Sequence, residues 1–177
     1  MRQHRFVGVS LGGGKTNRTC LADIEYYPDQ GKIFLCDLIE KIKSAEETSA
    51  DSQLHTYIES LRKNLESVAF DVPLQMPKCM RCRLKCPGYE KCNEPEIKWL
   101  RKSYQKYYLQ KKPKKLFTPY TERCVESYLA NELEEVFQLP HALGANAAPL
   151  TARALYITRR LKVSCIEVFP KLSLWRI

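Results

Sequence analysis

Four cysteines fall within fourteen residues of the segment PKCMRCRLKCPGYEKC, a density that points to metal chemistry. Cys79, Cys82, Cys86 and Cys92 make a C-x2-C-x3-C-x5-C array. A C-x2-C pair lets two sulfurs reach one metal from a single tight turn, and the later pair closes a tetrahedron. Zn²⁺ and a [4Fe–4S] cluster both take four thiolates, so the spacing leaves the choice between them open. Lys78, Arg81, Arg83, Lys85 and Lys91 surround the array and offset its negative charge in either case. The alternative is four reduced, half-exposed thiols, which oxidise readily. The other four cysteines (Cys20, Cys36, Cys124 and Cys165) fall in apolar patterns and are expected in the core.

Carboxylates suggest a second chemistry. Asp71 stands at the exit of one expected strand and Glu167 lies within another. Open α/β sheets place their ligand sites outside the carboxyl ends of parallel strands. If these two strands are neighbours, Asp71 and Glu167 share one divalent cation. Hard oxygen ligands suit Mg²⁺ or Mn²⁺, and such a site serves two-metal phosphodiester cleavage. The plainer alternative is that Asp-x-Pro starts a turn and that Glu167 faces solvent.

Downstream of the cysteines runs KWLRKSYQKYYLQKKPKKLF. Its cations Lys98, Arg101, Lys102, Lys106, Lys111, Lys112, Lys114 and Lys115 alternate with Trp99, Tyr104, Tyr107 and Tyr108. Cations track a phosphate backbone and aromatic faces stack on unpaired bases, so this run is a candidate for DNA or RNA. An amphipathic helix with core-packed aromatics and solvated lysines is the competing reading.

One apparent motif fails. GVSLGGGKT ends like a phosphate loop, but the G-x-x-x-x-G-K-[ST] spacing requires glycine at position 9, which is Val9. The loop must also open a helix, whereas TCLADIEYY reads as a strand. The segment is expected to be a strand and hairpin turn.

These residues need elements to hold them. RFVGVSL, TCLADIEYY and KIFLCDLI, the last two joined by the PDQG turn, make an antiparallel three-strand meander. After the polar KSAEETSADS, Leu54, Tyr57, Ile58, Leu61 and Leu65 form one helical stripe. A fourth strand is expected over 67–74. An insertion, marked by its cysteines and prolines, is expected over 76–118. A helix with Thr121 as N-cap follows, with Val125, Tyr128, Leu129, Leu133 and Val136 on one face. A helix over 149–161 and a fifth strand over 162–169 complete a single α/β domain with a mixed sheet and flanking helices.

The chain has 177 residues, 29 Lys and Arg against 20 Asp and Glu, and a net charge of +9. That balance favours an anionic partner, with nucleic acid first. Neither an apolar run long enough to span a bilayer nor a signal-type leader is evident, so no membrane partner and a cytoplasmic location are expected.

The meander opening FVGVSLGG, the strand ending FDVPL, the segment APLTARA and the late IEVFPKLSLW together resemble the domain-of-unknown-function 429 family. Its members are predicted nucleases of the ribonuclease H-like superfamily. The resemblance covers most of the chain outside the insertion. It implies a ribonuclease H-like five-stranded sheet, a metal ligand at Asp71 and a site residue at Glu167. It also implies an Arg-x-x-Glu pair at Arg123 and Glu126, whose alternative is a surface salt bridge. Arg123 joins the cations expected on nucleic acid. Where the family has a first-strand Asp this chain has Ser10, a neutral and poor ligand for a hard dication. The family also continues past residue 177, so a C-terminally incomplete domain is expected. Leu172, Leu174, Trp175 and Ile177 form the first turns of a further helix, whose loss would expose apolar sheet surface.

Three readings follow: a divalent-metal nuclease using Asp71, Glu167 and Glu126, a non-catalytic nucleic-acid-binding protein with a four-Cys module, or a nucleotide cradle at GGGKT built around Lys15.

Overall fold

The computed structural model describes residues 2–13, 18–108, 116–133 and 141–176. In chain order the elements are β1 (His4–Ser10), β2 (Cys20–Tyr27), β3 (Lys32–Ile39), α1 (Ala50–Leu61), β4 (Leu65–Phe70) and α2 (Lys78–Arg81). They continue with α3 (Pro95–Tyr107), α4 (Cys124–Asn131), α5 (Ala148–Thr158), β5 (Ser164–Glu167) and α6 (Pro170–Arg176). These elements form two compact units, Met1–Leu74 with Pro149–Ile177, and Gln75–Ala148. The second unit spans the segment 76–118, expected as an insertion, and continues to Ala148. It takes in α4, because a buried 2.8 Å hydrogen bond between the Ser103 and Ser127 hydroxyls ties α4 to α3.

The first unit is α/β, with a mixed sheet in the order β3-β2-β1-β4-β5. β1 runs antiparallel to β2, and β2 antiparallel to β3. β4 runs parallel to both β1 and β5. The expected meander and parallel pair are thus present. Alternation along β1 buries Val7 and Val9 on one face, level with Asp23 and Leu21 of β2. Leu54 and Ile58 of α1 and Ala154 and Ile157 of α5 join Val68 and Phe70 in the same core. Burial of one such side chain contributes about 1.5–3 kcal/mol. Asp23, also on this face, is buried but not unpaired: Arg5 grips it at 2.8 and 2.5 Å.

Local chemistry sets the boundaries. Pro28–Gln30 forms one 3-10 turn, closed by Gly31 at φ 59°, a conformation a side chain disfavours. Ser49 caps α1 by accepting the Ser52 N–H at 3.1 Å. Leu65, expected on the helical stripe, instead opens β4 after a 3-10 turn over Arg62–Asn64.

β3 is an edge strand. Ile33 (69% exposed), Phe34, Leu35 and Leu38 remain open to solvent, as does Ile166 of β5. Cys36, expected in the core, is exposed as well. Its apolar neighbours mark a strand, but β3 pairs on one side only and its side chains are exposed along nearly its whole length. α6 begins at Pro170, where the start of a further helix was expected.

In the second unit Ile97, Leu100 and Ser103 of α3 are buried, with Glu126, Ser127 and Leu129 of α4. The expected apolar stripe on α4 faces inward only in part: Leu129 is buried and Leu133 half-buried, Val125 and Tyr128 are exposed, and Val136 lies outside the described residues. A buried ion pair through Glu126 shares the inward side. The expected N-cap, Thr121, donates to the Thr118 carbonyl at 2.9 Å, and Arg123 caps the helix. Among the described residues no helix is long and apolar enough to cross a membrane.

Candidate functional site

β1 and β4 pair in parallel with Val9 opposite Phe70, so Ser10 and Asp71 leave the sheet together at the carboxyl ends of the two strands. The Ser10 hydroxyl donates to Asp71 Oδ2 at 2.5 Å, and the Leu11 N–H donates to Oδ1 at 3.3 Å. Glu167 ends β5, level with Phe70, and its Oε2 accepts the Leu74 N–H at 3.0 Å. The sheet thus delivers all three residues to one end of three adjacent strands. It joins Ser10 directly to Asp71 and directs Glu167 to a backbone amide.

The chemistry of this donor set does not fit a pair of Mg²⁺ or Mn²⁺ ions. Two hard dications need several anionic oxygens facing one another, and the partner hydrogen-bonded to Asp71 is a neutral hydroxyl. Among the described residues no three His, Cys, Asp or Glu side chains converge on a single-ion position.

Glu126 belongs to the second unit and is used internally there. Its carboxylate accepts from Arg123 Nε at 2.6 Å, the Arg123 N–H at 3.0 Å, the Ala142 N–H at 3.0 Å and His141 Nδ1 at 3.0 Å. Burial alone would push this carboxyl up, but the bonds from His141, Arg123 and the two amides outweigh it and hold the pKa at about 2. Arg123, expected on nucleic acid, is buried in this pair. His141 carried no signal in the sequence, being a loop histidine fifteen positions from Glu126.

The four cysteines line one cavity of about 310 Å³. Cys79 lies on α2, a single helical turn, and Cys82 follows it. Lys78 pairs with Glu94 at 2.9 Å and Arg81 with Glu96 at 3.6 Å, fixing this half of the array to the start of α3. Between Cys86 and Cys92 the chain turns at Gly88, φ 85°. Arg101 then secures the second half by donating to the carbonyls of Tyr89, Glu90 and Cys92, the last at 3.1 Å. Arg101, expected on phosphate, is directed inward. Burial pushes the Cys79 thiol up, with further rises from Cys92, Cys86 and Cys82, so metal binding there must release protons.

The basic run divides between two roles. Tyr104 stacks on Tyr108 and packs 5.1 Å from Phe117, and the Tyr108 hydroxyl accepts from Asn131, so these rings serve packing. Lys106 pairs with Glu132 at 3.2 Å. Lys98 and Lys102 are exposed one turn apart on α3, and Arg83, Lys85 and Lys91 are exposed near the cysteines. None of these five has an ion pair among the described residues. Lys111, Lys112, Lys114 and Lys115 lie outside the described residues, as does Lys15.

At the glycine hairpin, a side chain on Gly12 would meet the Arg18 backbone nitrogen at 2.4 Å, so the close approach requires glycine. Arg153 donates to the Gly12 carbonyl at 2.6 Å and Thr19 Oγ1 at 3.0 Å, and pairs with Asp51 at 2.5 Å. This residue, unremarked in the sequence, braces the hairpin from α5.

No family model, no curated protein and no solved structure matches the chain.

Proposed function

We propose that the chain is a non-catalytic nucleic-acid-binding protein on a ribonuclease H-like scaffold, with a four-Cys metal module in its second unit. The observation that carries this reading is the set of exposed cations Arg83, Lys85, Lys91, Lys98 and Lys102, free of ion pairs among the described residues. Cations without internal partners are available to phosphates, and the +9 net charge points the same way. The sheet order and its antiparallel meander with two parallel strands support the scaffold assignment. Ser10 supports the absence of catalysis: hydrogen-bonded to Asp71, it stands where a second carboxylate is needed.

A second reading, a metal-dependent nuclease, is favoured by one observation. Asp71 and Glu167 reach the same end of neighbouring parallel strands.

Labelled single- and double-stranded DNA and RNA distinguish the two. The chain is expected to bind without cleaving in Mg²⁺ or Mn²⁺. Lys98→Gln with Lys102→Gln should weaken binding and flatten its dependence on log salt by about 0.7–0.9 per lost phosphate contact. Cleavage that disappears in Asp71→Asn replaces this reading with the nuclease. Cleavage only in Ser10→Asp identifies a disabled scaffold. No binding at low salt removes nucleic acid as the partner.

A further inference from the structure

We propose that Cys79, Cys82, Cys86 and Cys92 hold a [4Fe–4S] cluster rather than a single zinc ion. The inference rests on reading these cysteines as a metal module, and it is independent of nucleic-acid binding.

Size carries the argument. In a zinc site four sulfurs close to about 2.3 Å from one point, leaving no room beyond the ion itself. Here the four cysteines border a cavity of about 310 Å³. At a water's share of roughly 30 Å³ that is the space of about ten waters, ample for the eight atoms of a cubane core. All four cysteines border this one space. A cluster supplies its own bridging sulfides, so its ligands stand farther apart.

The protein holds that spacing itself. α2 carries Cys79 and is tied to α3 through Lys78–Glu94 and Arg81–Glu96. The loop carrying Cys92 is held to the same helix by Arg101. With both halves fixed to one helix, the gap between them is set by α3 and not by an ion drawing the sulfurs together.

Charge does not separate the two metals. Four thiolates on Zn²⁺ or on a 2+ core leave the same two negative charges, and Lys78, Lys85 and Lys91, lining the cavity with Glu94, offset either. Loading is a ligand exchange. A preformed core arrives on four small-molecule thiolates, each cysteine thiol gives up its proton as its sulfur bonds to iron, and each departing thiolate takes that proton. No electron is transferred.

The full chain, purified without oxygen, is analysed for iron, acid-labile sulfide and zinc, and by electron paramagnetic resonance after dithionite reduction. About four irons and four sulfides per chain, with a signal on reduction, are expected. Cys86→Ser and Cys92→Ser should lose the iron, whereas Cys36→Ser and Cys124→Ser, which do not border the cavity, should keep it. Should Cys86→Ser not fold, transfer of a preformed thiolate-ligated [4Fe–4S] core to the unsubstituted chain without oxygen tests uptake of the cluster, with Cys92→Ser as the second ligand variant. One zinc per chain without sulfide overturns the cluster and leaves the metal module standing. A chain that takes up neither metal overturns both.

Discussion

The two units are stabilised by opposite means. The first buries an apolar cluster in which Leu54, Ile58, Val68 and Phe70 are essentially inaccessible, and its buried Asp23 is gripped by Arg5. Among the described residues of the second, Ile97, Leu100 and Leu129 are buried beside the polar set Ser103, Arg123, Glu126 and Ser127. Its cysteine loop is tied by carbonyl contacts to Arg101. The described interior of the first unit is largely apolar, whereas that of the second places a hydrogen-bonded ion pair beside its apolar side chains.

Thermal unfolding of substituted chains sharpens or breaks that contrast. The largest effect is expected from Glu126→Ala, which removes the buried carboxylate that accepts from Arg123, His141 and the Ala142 amide and costs about 3–5 kcal/mol. It should lower the transition of the second unit more than that of the first, which loses only what a slacker connection costs. The same residue gives a pH signature. Its depressed folded pKa means its stabilisation is fully present above about pH 4.5 and is lost as the pH falls towards about 2. Glu126→Ala should remove that acid-side loss from the second unit's transition. Next comes Leu54→Ala, a cavity in the first unit's core, at about 2–5 kcal/mol with the opposite selectivity. Smallest is Ser49→Ala, which removes the cap of α1 at a cost of about 1 kcal/mol. If Glu126→Ala and Leu54→Ala move a single common transition, the two units unfold as one and the contrast fails.

What the sequence disclosed follows the same division. The meander was legible because alternation and the PDQG turn are local signals. The neighbouring placement of the strands that carry Asp71 and Glu167 was weighed from their positions at strand ends, whereas the hydrogen bond of Ser10 to Asp71 was not read. α4 was read only in part because apolar periodicity finds an apolar core, and the inward side of α4 carries Glu126 and Ser127 beside Leu129. Cys36 was misplaced because a strand's pattern does not reveal whether anything covers it. Arg153 and His141 could not be read at all: their partners Asp51 and Glu126 lie 102 and 15 positions away, with no shared periodicity.

The pairing of β5 with β4 sets Phe70 against Glu167 across the whole of residues 75–148. On the ribosome the meander, α1 and β4 are complete before Cys79 emerges, while the sheet lacks its last strand until the intervening unit has been made. Docking β5 is therefore a chain-closure step, and its entropic cost depends on how slack the intervening segment is. Each doubling of a flexible loop adds about 0.6 kcal/mol, so ordering that shortens the effective loop tenfold is worth about 2 kcal/mol to the sheet. Order within residues 75–148 thus lowers the entropic cost of completing the sheet.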